Sequence, residues 1–293
     1  MTFAHSSARA RAAARLRAGA RALLLLSAGW ASPALAGGDF PIPIPLDHLP
    51  NAVAVGVGFA PTWLGSDDYF LGGAPAASIG TPLGRLNVMG NYAALNLLEE
   101  RFDRSGWRFG PAVVYRFGRS DVDDPVVARL PEVDDSLEIG ANLGYQFVDA
   151  ANPVRRLNLG ADLTFDVTQG DGAAALNLFA RAVQPLPWPG GAAMALVSAT
   201  LVNDAYAERF FSVSAAGSAA SGLPIFEAGG PGRDVRVGVG MLQSLSPRWH
   251  LGAGVVYSRL VGDAADGPIV SRRGEADQLL FGLGLAYAWG FEG

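Results

Sequence analysis

The chain has 293 residues, no cysteine, and 22 basic against 27 acidic residues, a formal charge of −5 at pH 7. Without cysteine there is no disulfide framework and no lipid-carrying N-terminal Cys, and the acidic balance argues against nucleic acid as a partner. Half of the residues are hydrophobic and only 17% are charged, an apolar mixture for an exported chain.

Residues 1–36 read as an address. Arg9, Arg11, Arg15, Arg17 and Arg21 give a positive n-region, 22–30 (ALLLLSAGW) a short apolar h-region, and Ala34-Leu35-Ala36 a small-residue cleavage site. The apolar run is roughly half of the ~20 residues a membrane anchor needs, so a signal peptide is expected, with a mature N-terminus at Gly37. Its removal takes away five arginines and no acid, which moves the formal charge to −10. Residues 37–50 follow as an arm in which Pro41, Pro43 and Pro45 favour an extended, polyproline-like chain. It reads as a spacer or as a docking element on the periplasmic side.

Beyond the leader no apolar stretch approaches the ~18 residues of a transmembrane helix. Lipid cannot satisfy open strand edges, so the remaining spanning structure is a closed barrel. The pattern agrees, because it alternates with a period of two. Leu137, Ile139, Ala141, Leu143, Tyr145 and Phe147 share one face, opposite Ser136, Glu138, Gly140, Asn142, Gly144 and Gln146. After a turn at Asn152-Pro153, Leu157 to Val167 alternate with Asn158 to Thr168, and Leu279 to Trp289 do the same at the end.

Soluble sandwiches alternate too, and three features favour lipid outside. The segments are about 10–14 residues long, enough for a tilted strand to cross a bilayer. Aromatics such as Trp107, Tyr115, Phe117, Tyr145, Phe147, Tyr257, Tyr287 and Trp289 gather toward strand ends, where an interfacial girdle would place them. The other face is rich in Gly, Ala, Asn and Thr, which suits a narrow lumen.

Strands are expected near 51–60, 72–80, 84–90, 92–99, 106–118, 136–148, 155–168, 173–185, 192–203, 233–245, 249–261 and 277–289. That is an all-β, transmembrane antiparallel barrel of about twelve strands over 51–289, with a tail at 290–293. Splitting 84–99 at Gly90-Asn91 keeps the count even and puts the long connections 61–71, 119–135, 204–232 and 262–276 on one side, as in single-chain outer-membrane barrels. The expected location is the outer membrane of a Gram-negative cell, among lipid and lipopolysaccharide.

No constellation points to catalysis. The mature chain has His48 in the arm and His250 beside a periplasmic turn, both far from the outer leaflet, so a Ser-His mechanism is disfavoured. Without Cys or clustered His no transition-metal site is expected, and no cofactor is implied. Asp67, Asp68, Asp121, Asp123, Asp124, Glu132, Asp134 and Asp135 crowd the loops, but their spacing matches no defined Ca²⁺ loop. The Gly-x-Gly pairs Gly56/Gly58, Gly238/Gly240 and Gly282/Gly284 sit inside strands with no following helix, which favours close packing over phosphate binding. Arg108, Arg116, Glu138, Asp162, Asp166, Arg181 and Arg236 are the lumen-facing candidates. Mixed charge there either lines a small pore or pairs up to fill it, and twelve strands, between the filled eight-strand and open porin sizes, leave both readings standing.

Four segments carry a resemblance: 58–70 (GFAPTWLGSDDYF), 106–119 (GWRFGPAVVYRFGR), 210–229 (FFSVSAAGSAASGLPIFEAG) and 257–278 (YSRLVGDAADGPIVSRRGEADQ). In order and spacing they resemble the MipA/OmpV family of outer-membrane proteins over about 51–289. Departures are Gly267, where the family more often has Ser, a looser 275–277, and residues running past the last aromatic. The resemblance implies a non-enzymatic barrel acting as a scaffold between a lytic transglycosylase and a murein synthase, or in adhesion. It supplies no binding residues. The alternative from the lumen chemistry is a narrow channel for small solutes.

Overall fold

The structure is a computed structural model that describes residues 49–120 and 122–290. The expected leader, most of the arm with His48, Asp121 and residues 291–293 lie outside the described residues.

Twelve antiparallel strands close into one barrel: β1 (Asn51–Pro61), β2 (Tyr69–Thr81), β3 (Gly84–Met89), β4 (Tyr92–Asn96), β5 (Gly106–Arg116), β6 (Ser136–Val148), β7 (Arg156–Asp166), β8 (Ala174–Pro185), β9 (Gly191–Val202), β10 (Gly232–Ser244), β11 (Trp249–Leu260) and β12 (Asp277–Trp289). Each strand pairs with its sequence neighbours, and closure is made by β1 on β12, from Asn51 opposite Trp289 to Phe59 opposite Phe281. The period-two pattern decides which way each residue points. Leu143, Leu163 and Leu283 are 51%, 43% and 52% exposed on the outside, whereas Asn142 and Asp162 are buried inside.

An outer face of Val, Leu, Ile and Phe this continuous is far larger than water tolerates, and a closed barrel leaves no strand edge for lipid to orphan. The barrel therefore sits in the outer membrane. Aromatic networks mark one end of the wall: Trp107 edge-on to Tyr145 at 5.0 Å and Tyr145 to Phe147 at 4.7 Å, then Trp249 to Tyr287 at 5.0 Å and Tyr287 stacked on Trp289 at 6.2 Å.

The division at Gly90-Asn91 is real. Gly90 turns with φ +55°, its N–H donates to the Pro75 carbonyl at 2.8 Å, and the Asn91 amide donates to the Tyr115 carbonyl at 2.8 Å. β4 ends at Asn96, three residues short of the expected 99, and the cause lies in β5. Pro111 has no N–H to give β4, so the ladder passes to a side chain: Asn96 Oδ1 accepts the Phe109 N–H at 2.9 Å. Gly110 permits the close approach there, since a Cβ would stand 1.8 Å from the Leu95 carbonyl oxygen.

The connections β1–β2, β3–β4, β5–β6, β7–β8, β9–β10 and β11–β12 lie at one end, among them 117–135, 203–231 and 261–276, and the others lie at the opposite end. Sequence reading treats the long ones as loops, but they fold. A 3₁₀ turn (Val127–Arg129), α1 (Asp204–Phe211), α2 (Ala215–Ser221), α3 (Asp263–Asp266) and α4 (Pro268–Arg273) form there. Asn203 and Ser214 cap α1 and α2 by accepting the N–H groups of Tyr206 and Gly217. Together they bury a second hydrophobic core, with Trp63, Leu130, Phe210, Phe211, Ile269 and Val270 at its centre.

Candidate functional site

The twelve strands surround a lumen, and its chemistry is set by inward positions. Of the seven candidates, Arg108, Glu138, Asp162, Asp166, Arg181 and Arg236 are buried, and Arg116 is half-buried. Arg85, Arg156, Arg233 and Asp234 join them and were missed by sequence reading. Arg156 shares the parity of Asn158 and Asp162, which was the available signal. Arg233 stands at a bulge between Gly232 and Asp234, where parity gives no signal.

In the extracellular half the charges neutralise one another. Arg116 Nε and Nη2 each donate to Glu138 at 2.8 Å, and Thr164 Oγ1 adds a third bond at 2.8 Å. Arg233 Nε donates to Asp234 Oδ2 at 2.5 Å, Arg236 Nη2 to the same oxygen at 3.1 Å, and Arg233 Nη1 to the Tyr206 hydroxyl of α1 at 2.8 Å. Arg209, also on α1, reaches down to Asp166 and across to Asp171. The lid is thus tied to the wall by ionic contacts on its underside. Arg119 adds a bond to the Phe210 carbonyl at 2.8 Å, and burial pushes its guanidinium down to about 10, still charged at neutral pH.

At mid-height Asp162 accepts from the Tyr92 hydroxyl and the Asn142 amide at 2.7 Å each, and from Asn177 at 3.3 Å. The periplasmic half is different. Arg108 Nη2 lies 2.5 Å and Arg85 Nε 3.8 Å from the same carboxylate, Glu100, while Arg156 stacks on Phe102 at 4.4 Å and Arg181 lines β8. Among the described residues, four arginines in this half face one carboxylate, with Asp162 above them. Phe102, Val154, Val183 and Ala192 form a hydrophobic floor against which Leu49 packs. Arg85 fixes the chain at that point by donating to the Leu49 and Pro50 carbonyls at 2.9 and 3.0 Å. Beside the floor, Glu99, Arg101, Arg104, Trp107 and Arg108 line a pocket of about 100 Å³.

The wall of β1, β2, β10, β11 and β12 carries glycine rows at mid-height. One row runs Gly72, Gly58, Gly282, Gly254 and Gly240 across β2, β1, β12, β11 and β10, and the next runs Gly56, Gly284 and Gly252. A Cβ on Gly254 or Gly284 would meet only the backbone of the neighbouring strand. These glycines serve close packing and lumen clearance, with no helix following them.

Of the other candidates, Ser244 Oγ and His250 Nδ1 stand 2.9 Å apart near the periplasmic end, with Ser244 half-buried and His250 buried. Asp124 caps the 3₁₀ turn by accepting from Val126 and Val127, and binds Arg273 of α4. Burial raises its pKa, but the Arg273 bond and the two N–H groups outweigh this and hold it below the usual carboxylate range. Asp135 accepts from Gly118 N–H and the Tyr115 hydroxyl at 2.8 Å each. Asp124 and Asp135 are therefore structural, and no group of three among the described residues is arranged for a metal ion.

The profile of the family described as MltA-interacting protein MipA matches residues 53–289. No curated protein matches the sequence. Among solved structures, an outer-membrane channel from Pseudomonas putida is 13% identical over 86% of this chain and 99% of its own, with a TM-score of 0.43. The translocator domain of the autotransporter NalP from Neisseria meningitidis is 13% identical over 96% and 98%, with a TM-score of 0.41.

Proposed function

The chain belongs to the MltA-interacting protein MipA family, and from that membership and the charge-paired, lidded upper part of its barrel we propose that it is a non-enzymatic interaction barrel. Its partner class is a periplasmic lytic transglycosylase, with a murein synthase as the second enzyme brought to the same place. The observation that carries this reading is the hydrophobic lid tied down by Arg209 and Arg233 at one end, with a hydrophobic cluster around Phe102 at the other. A barrel so filled contributes its surfaces. The periplasmic turns carry exposed Leu83, Leu97 and Leu245 and exposed Arg101, Arg104 and Arg248, the apolar and charged residue types that protein partners use.

The test is capture of a lytic transglycosylase by the tagged barrel from solubilised envelopes, repeated with Leu83→Asp and with Arg101→Glu/Arg104→Glu. Capture by the native barrel and its loss in both variants supports the scaffold; no capture by the native barrel contradicts it. A narrow channel for small solutes is the second reading, favoured by the clearance along the glycine wall, and it requires floor and lid to move.

A further inference from the structure

We propose that the barrel wall has a lateral window between β2 and β5, and that it admits a single-chain amphiphile from the outer leaflet to a binding site in the lumen. The first observation is strand length. β3 and β4 have six and five residues, where the other ten strands have 11 to 13. A tilted strand needs about 9–11 residues to cross a bilayer, so this hairpin climbs from the periplasmic end only part of the way. Its turn at Gly90-Asn91 lies within the membrane. The ring is closed through the hairpin below that turn; above it two strands are missing, a gap of roughly 10 Å at the usual strand spacing.

The second observation is an unpaired edge. β2 pairs with β1 from Tyr69 to Ser78, but with β3 only from Ala76 to Thr81. The Gly90 N–H donates to the Pro75 carbonyl at 2.8 Å, so the odd-numbered residues of β2 direct their backbone groups to that side. Leu71 and Gly73 therefore turn N–H and C=O groups toward a place where no strand stands, and hydrocarbon cannot satisfy them. The gap is framed from above. Asp124 of the β5–β6 connection meets Arg273 of α4 at 3.1 Å, and the Glu275 N–H donates to the Gly65 carbonyl of the β1–β2 connection at 2.8 Å.

The third is the chemistry on the two sides. Outside, Leu71 is 63% exposed to lipid. Inside, Met89, Tyr92, Ala94, Ala112 and Val114 form an apolar cluster on the hairpin and β5, and Ala74 of β2 is buried beside them. Lipid and lumen thus meet across apolar surface at the window, while the lumen under the lid is ionic. An alkyl chain rests on this sill without giving up water, and a carboxylate or phosphate head accepts from the Leu71 and Gly73 N–H groups. An apolar lining with a few placed polar groups is the usual form of a small-molecule site. Entry is from lipid and requires no opening of the lid, so the window stands beside a non-conducting lumen.

The chain has no cysteine, so single cysteines report on access. The full barrel in liposomes meets a phospholipid that carries a maleimide at the end of one acyl chain. Ala74→Cys lies on the lumen side of the window, and Ala76→Cys at the sill replaces it if that variant does not fold. Val57→Cys, outward on the rung of Gly73, is the lipid reference, and Ser198→Cys, inward on β9, is the lumen reference. A window open for a tenth of the time or more keeps position 74 within about tenfold of the rate at 57, while position 198 stays unlabelled. Excess lauric acid should slow position 74 several-fold, a site about nine-tenths occupied, and leave 57 unchanged. Gel mobility of the unheated barrel verifies each fold. A position 74 as silent as 198 overturns the window, and a position 198 as reactive as 74 overturns it too, since the reagent then enters elsewhere. Labelling at 74 that lauric acid does not slow overturns the amphiphile site.

Discussion

Arg116 of β5 and Glu138 of β6 meet through two parallel bonds of 2.8 Å inside the barrel, directly below the lid. The pair is desolvated, so its value appears mainly when one member is lost. Glu138→Ala should cost about 3–5 kcal/mol, because it leaves an uncompensated guanidinium, whereas the double replacement by apolar residues of similar volume should be close to neutral. Urea unfolding of the refolded barrel, read by gel mobility, gives both numbers. A double variant as unstable as Glu138→Ala would contradict this account.

Leu163 lies in β7 with its side chain outside, next to inward Asp162. Leu163→Arg is expected to cost about 2–4 kcal/mol if the residue lies near the bilayer midplane. The same unfolding assay in lipid checks it, with Leu163→Arg in detergent as the comparison. No loss in lipid would mean that the strand faces are inverted, since a shift of one residue exchanges them.

The lid has an acid limit. Asp124 and Asp171 are both pulled upward by burial, and both end below the ordinary range because Arg273 and Arg209, with backbone N–H groups, favour the carboxylate. A carboxylate depressed in the folded state stabilises above its unfolded pKa, and that contribution fades as pH falls through the folded value. Lid protection against proteases should therefore be flat from neutrality down to about pH 4, the unfolded carboxylate range, and fall below it. Asp124→Asn should lower protection at pH 7 and flatten the acid loss. A lid that loosened between pH 6 and pH 8 would point to other groups.

The barrel was legible because each strand states both of its environments through alternation, and Gly90-Asn91 and the prolines mark where strands stop. Strand order followed, since antiparallel neighbours joined by short turns leave little choice. The lid was not legible. Residues 203–221 carry helix caps in Asn203 and Ser214, yet helices this short are marginal alone and form here because Phe210, Phe211 and Ile269 bury one another across two loops. The lumen candidates followed from parity, but their pairings did not: Arg233 escapes parity at a bulge, and Glu100 reaches Arg108 from a turn whose position depends on where β4 ends.

Closure depends on β12. It pairs with β1 and β11 along nearly its whole length, and Tyr287 packs on both Trp249 and Trp289. Deleting 291–293 is expected to leave assembly intact, because β12 ends at Trp289. Deleting 287–293 should abolish it, since β1 would present unpaired backbone groups at several kcal/mol each in lipid. Outer-membrane fractions probed for a heat-modifiable barrel separate the two. A folded barrel after the longer deletion would contradict the closure described here.

The proposed role as an interaction barrel requires a lumen that does not conduct in the native state. Planar-bilayer conductance of the purified barrel tests this most directly. The account predicts no steady current with the native protein, and current only after the lid is released, for example by removing Asp124 and Arg209 together. Steady ohmic conductance of the native barrel at neutral pH would contradict it and hand the protein to the channel reading.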